Sequence, residues 1–265
     1  MFEIQDVSGR TLYRSQTAKT WQDTLVEAVS CRTPLPEINL DNRDLAGLDL
    51  RGMNAPSASC RGTHLRKANL EGAVMPRSDF TGANLGEANA GGVDFRNSDF
   101  SQAQMTAINM PNATLDGIRG KGIQACNAIL DYSSFRGADL PAINLNETSM
   151  LSTDWTNAKL LAASLYEVQA MRSRLDNVVG ERAKFVNADL RWSSISGSFT
   201  FANFQGANLA SVTLAGGLNL QGATFEAAQG VGTDYHIEAV LVHLQERTQT
   251  IKHSPAIKHG MAKTQ

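Results

Sequence analysis

The stretch 77-RSDFTGANLGEANAGGVDFRNSDF-100 places Phe80, Leu85, Ala90, Phe95 and Phe100 at intervals of five. On an α-helix a step of five advances about 140° past a full turn, so these residues would scatter around the axis. On a strand five is an odd step, and they would alternate between faces. Neither regular structure builds a one-sided core from this spacing. The period points one way only if the backbone bends once per repeat, so that each repeat is one side of a closed polygon.

The interval extends well beyond that stretch. Every fifth residue from Leu40 to Ile195 gives 32 positions with no insertion or deletion, and 25 of them are Leu, Phe, Met, Trp or Ile. The clearest of these centres are Leu40, Leu45, Leu50, Leu65, Leu70, Phe80, Leu85, Phe95 and Phe100 in the first half. Phe135, Leu140, Leu145, Trp155, Leu160, Leu165, Phe185 and Leu190 continue them in the second. Two residues before each centre stands a small or apolar residue, Arg43 excepted.

If both positions share one interior, a shrunken centre should be offset by an enlarged partner, since close-packed cores tolerate volume-conserving exchanges best. The small centres are Ala55, Cys60, Ala90, Gly120, Ala125, Ala170 and Gly180. Five of these seven have a bulky partner, namely Met53, Ile118, Ile123, Val168 and Val178. Cys60 with Ala58 and Ala90 with Ala88 are uncompensated and predict a void or a bend. After Ile195 the register slips. Phe199, Phe204, Leu209 and Leu214 run one residue short, and Leu220 and Phe225 return to the first phase past 215-AGGLNL-220. Both slips predict a bulge or small loop.

These residues carry a resemblance. Units such as 83-ANLGE-87 and 138-ADLPA-142 resemble the A(D/N)LXX consensus of the pentapeptide-repeat family, over residues 36–228. The resemblance implies an all-β solenoid, a right-handed quadrilateral β-helix with four pentapeptides per coil. At about 4.8 Å per coil, eight in-phase coils would span roughly 40 Å.

A stacked coil exposes unpaired backbone and an apolar cross-section at each end, which calls for caps. Residues 1–35 read as the first cap. FEIQDV and TLYRSQ form a hairpin around Ser8-Gly9, and 20-TWQDTLVEAVSC-31 a helix with Thr20 as N-cap and Asp23 at the third helical position. Its expected buried face is Trp21, Leu25, Val26 and Val29, and Pro34 and Pro36 follow it. This leader is similar to one ahead of pentapeptide repeats in phage and prophage proteins. Residues 229–252 hold a second helical pattern with Ile237, Val240, Leu241 and Leu244 on one side, a cap or a dimer contact. Residues 253–265 read as a disordered tail.

Chemistry is sparse. Cys31, Cys60 and Cys126 fit neither a disulfide framework nor a zinc motif. His64, His236, His243, His253 and His259 form no ligand set. The aspartates at the position before each centre read as turn-bonding residues. The glycines of 117-GIRGKGIQ-124 lack the strand-then-helix context of a phosphate loop. The expectation is a chain without catalytic, cofactor or metal site, and without a small-molecule substrate. It reads instead as a rigid scaffold that binds a macromolecular partner, an unidentified protein.

Two alternatives stand beside it. Some members of the resembled family mimic DNA and bind DNA gyrase or topoisomerase IV, and a phage-borne or translocated effector would engage a host protein. Residues 37–225 hold 16 Lys and Arg against 18 Asp and Glu, a balance that argues against mimicry of a polyanion and against direct nucleic-acid binding. Arg61, Arg66 and Lys67 cluster in sequence. No stretch approaches a membrane span and no signal peptide opens the chain, so the expected location is the bacterial cytoplasm, or a host cytosol.

Overall fold

The computed structural model describes residues 1–230. The chain opens with a hairpin of β1 (Phe2–Gln5) and β2 (Thr11–Ser15), antiparallel across a turn in which Gly9 has φ +86°. Helix α1 (Trp21–Ser30) follows, its N-terminus closed by a capping box. Thr20 Oγ1 accepts from the Asp23 amide, and an Asp23 carboxylate oxygen accepts from the Thr20 amide. Glu27 accepts from the hydroxyls of Tyr13, Ser15 and Thr17 and so ties α1 to the hairpin.

From Leu35 onward the backbone coils. Parallel bridges join residues twenty apart, from Asn39 with Ser59 to Gln169 with Asp189, four per coil. Each side is too short for a conventional strand, yet its hydrogen bonds repeat without a gap. The amide of a centre donates to the coil after it, as Leu65 does to Asn84, and the amide before the centre donates to the coil before it, as His64 does to Arg43.

The corners explain how a five-residue side can turn. Two residues past each centre the backbone takes a positive φ near 60°, and the next amide donates back to the centre's carbonyl, as Ala68 does to Leu65. That is the pattern of a type II turn. Gly and Asn tolerate this left-handed conformation, and they recur there at Gly47, Gly52, Gly62, Gly72, Asn97 and Asn112.

One amide per unit remains, that of the residue just after the centre. Where Asp or Asn precedes the centre, its side chain accepts that proton, as Asp79 does from Thr81 and Asn84 from Gly86. Where Ser stands there instead, the acceptor comes from the coil before. Asp41 takes the Arg61 amide and the Ser59 hydroxyl, Asp131 takes the Leu151 amide and the Ser149 hydroxyl, and Asn146 does the same for Tyr166 and Ser164. The aspartates are therefore structural acceptors, because an unpaired amide in a tight turn is costly.

The interior is one continuous core, in which every centre from Leu40 to Ile195 is buried. Phe80 stacks on Phe100, Phe135 on Trp155, and Phe185 on Phe204 and then Phe225, with ring centroids 4.1 to 5.0 Å apart. Trp155 is tolerated inside because its indole N–H donates to Thr153 Oγ1. Buried Ser and Thr at the small position find partners through the ladder, as Ser133 donates to the Met110 carbonyl and accepts from the Ala113 amide.

Two expectations are corrected here. No bend marks Ala88–Ala90: the bridges Asn69–Asn89–Asn109 run through, and the rings of Phe80 and Phe95, 5.0 Å apart, bring bulk from other sides of the same coil. On α1 the buried residues are Thr24, Leu25, Ala28 and Val29. Val26 and Trp21 are half-buried, Trp21 lying beneath the Arg43 guanidinium at 4.3 Å.

Both register slips fall where the hydrophobic spacing placed them. Strands β3 (Arg174–Val179) and β4 (Ser194–Ser198) pair Leu175 with Ile195, twenty apart, then Val178 with Gly197, nineteen apart. Gly197 makes the shift possible: its φ is +103°, and a Cβ there would sit 2.6 Å from the Val178 amide nitrogen. The residue is restored between β5 (Thr213–Leu214) and Asn219, since Ile195 pairs with Leu214 but Ser198 with Asn219. The expected helix with Ile237, Val240, Leu241 and Leu244, and the tail after it, lie outside the described residues.

Candidate interaction surface

Twenty residues per coil sort the outward side chains into four rows, one per side. The row through Asp79, Asp99, Arg119, Asp139 and Lys159 mixes charges of both signs, whereas Asn84, Gln104, Gln124 and Asn144 on the next side are neutral amides. Along the third side Asn69, Asn89 and Asn109 form a hydrogen-bonded ladder, each amide nitrogen donating to the oxygen of the residue below.

Half of the 18 carboxylates over residues 37–225 pair with cations at close range. Asp49, Asp94 and Asp189 pair with the arginine two residues on, at 2.7, 2.7 and 2.6 Å. Others pair between coils, Asp79 with Arg61 at 2.5 Å, Asp99 with Arg119 at 2.9 Å and Asp139 with Lys159 at 3.0 Å. Asp49, Asp94 and Asp189 are held below the usual carboxylate range first by these arginine hydrogen bonds. The basic cluster of Arg61, Arg66 and Lys67 is likewise ion-paired, Arg61 with Asp79 while Arg66 and Lys67 share Glu87.

The centres named from the sequence all point inward and none contributes to this surface. Among the described residues no group of three or more His, Cys, Asp or Glu is arranged to hold a metal, and His64 stands exposed on its row. Burial pushes the Cys60 thiol up, out of the range in which a cysteine acts as a nucleophile. Gly117 and Gly122 are two corner residues and Gly120 a centre, so the glycine-rich segment is ordinary coil.

Residues 37–72 and 78–117 match the family model of pentapeptide repeats, in eight copies. Those residues are pentapeptide repeats. The fold of this family is a right-handed β-helix. Among solved structures the chain is similar to HetL, a pentapeptide repeat protein involved in heterocyst differentiation regulation from the cyanobacterium Nostoc sp. strain PCC 7120. That likeness has 21% identity over 77% of this chain and 92% of HetL, with a TM-score of 0.35. It is also similar to QnrB1, a plasmid-mediated fluoroquinolone resistance protein, at 16% identity over 82% of this chain and 96% of that one, TM-score 0.31. A pentapeptide repeat protein from the thylakoid lumen of Arabidopsis thaliana is 32% identical over 38% of this chain and 63% of its own length, TM-score 0.25. No curated protein matches the chain.

Sequence reading missed the exposed aromatics. Tyr132, Trp192 and Phe201 are 59%, 52% and 60% exposed, and all three occupy the positive-φ corner position. A bulky side chain is uncommon in that conformation. The signal was present, since Gly or Asn fills so many of the other corners.

Proposed function

We propose that this protein is a non-enzymatic, rigid interaction scaffold that binds another protein through the outer surface of its solenoid. The observation that carries the reading is the structural use of its aspartates. The aspartates that would be candidate acids, bases or ligands accept amide protons at corners or pair with arginine, which leaves rigidity and an ordered surface as the chain's assets.

In the same reading residues 1–35 cap the first coil. Val7 donates to the Glu37 carbonyl, Asn39 donates to that of Gln5, and Leu25, Ala28 and Val29 join the coil's core. Residues 36–228 form the solenoid, four-sided in section, and 229–252 close its far end or meet a second copy. Light scattering before and after removal of 230–265 separates those two roles, because only the second predicts a dimer that the truncation abolishes.

Mimicry of DNA toward a type II topoisomerase is the rival reading. The balance of 16 basic and 18 acidic residues over 37–225, with the ion pairs above, opposes it. A supercoiling assay in which excess protein neither inhibits nor protects gyrase is the result expected. For the scaffold itself, affinity capture is expected to return one stoichiometric protein partner, and recovery of none would leave the reading without support.

A further inference from the structure

Tyr132, Ser152, Arg172 and Trp192 lie at the same corner of four successive coils, joined by the amide ladder Tyr132 to Leu151, Ser152 to Met171 and Arg172 to Arg191. At about 4.8 Å per coil the two aromatic residues stand roughly 14 Å apart. Exposed Ile129 adjoins Tyr132, and half-buried Leu151 and Met171 fill the row between.

The guanidinium carbons of Arg172 and Arg191 lie 5.7 and 5.2 Å from the centroid of the Trp192 ring. Arg191 is already engaged, bonded to Asp189 and to the Met171 sulfur. Arg172 is not: among the described residues no carboxylate pairs with it. The strip therefore combines an exposed Trp, a Tyr and an Arg without an ion pair, the residue types that concentrate binding energy in protein interfaces.

Building on the scaffold reading, we propose that this corner is the docking strip, and that its occupant is a protein segment carrying both aromatic or aliphatic side chains and carboxylates. The apolar groups would pack on Trp192 and Tyr132 while a carboxylate pairs with Arg172. A single-stranded nucleic acid fits less well, because it requires a run of unpaired cations along the backbone path. Here Asp131 and Asp189 flank the strip.

The test uses the full chain and a labelled random copolymer of glutamate and tyrosine, titrated at physiological salt by fluorescence anisotropy. Polyglutamate and oligodeoxythymidine serve as comparison probes. The variants are Trp192→Asn, Tyr132→Asn and Arg172→Asn, since Asn adopts the same corner conformation at Asn112 and Asn127 and the fold is retained. Arg182→Asn, at a different corner, is the control. Expected is copolymer binding that exceeds both comparison probes and weakens at least about tenfold in Trp192→Asn and Arg172→Asn, with Arg182→Asn unchanged. Equal binding of polyglutamate, a preference for oligodeoxythymidine, or indifference to the strip variants overturns the proposal. A cellular partner captured equally by wild type and Trp192→Asn would sink the strip and leave the scaffold reading standing.

Discussion

At the scale of single residues, the coil shows how one polar atom is satisfied or stranded by register. Asp131 accepts from Ser149 and from the Leu151 amide, eighteen and twenty residues on. Asp176 stands in the equivalent place before Ser194 and Ser196, but the slip at β4 removes a residue, and Ser196 turns its hydroxyl to the Asn177 amide instead. One Asp176 carboxylate oxygen is left buried without a partner. Asp131→Ala should therefore cost about 1–2 kcal/mol by stranding an amide, whereas Asp176→Ala should stay within about 0.5 kcal/mol. Urea unfolding of the two variants measures the contrast, and equal losses would contradict it. Gly180 is a second such residue, since a Cβ there would lie 2.6 Å from the fully buried Phe199 ring. Gly180→Ala should destabilise by about 1–3 kcal/mol through overpacking, although its backbone would otherwise favour Ala. A midpoint at or above wild type would show that the ring moves freely.

At the scale of elements, the turn of the N-terminal hairpin is closed by a carboxylate, that of Asp6. Asp6 bridges the Ser8 hydroxyl, the Ser8 and Arg10 amides and the Arg10 guanidinium, and these hold its pKa down at about 2, the Ser8 hydroxyl foremost. A depressed carboxylate stabilises the fold above its unfolded value near 3.8 and loses that contribution as pH falls toward 2. Amide exchange in β1 and β2 should accelerate between those values while the neutral interior of the solenoid stays protected. Uniform exchange across both regions would exclude Asp6 as the cause. The hairpin and α1 were legible from turn, capping and periodicity signals, including the Thr20–Asp23 box. The buried face of α1 was read less well, because Ala28 and Thr24 are chosen by what packs on the first coil rather than by their own hydrophobicity.

At the scale of the whole molecule, each coil contacts only its neighbours, so stability should accumulate coil by coil. Two of the cysteines report on this. Cys60 is buried in the core and Cys31 is exposed beyond α1. A thiol reagent on the native protein should label Cys31 rapidly and Cys60 only at the rate of unfolding. Rapid labelling of Cys60 would mean that the early coils open locally.

The five-residue period by itself determined the interior and both slips, because centre and partner lie two residues apart and meet within one unit. Even the corner conformation left a mark in the recurrence of Gly and Asn. Surface neighbours were a different matter. Tyr132 and Trp192 are sixty residues apart, and they share an edge only because a coil closes after four units and stacks in register. The same closure brings Asp99 to Arg119 and Asp139 to Lys159, and it leaves Arg172 without a carboxylate. Contacts local to a unit are written in the repeat, whereas contacts between coils depend on a circumference that five-residue spacing does not contain.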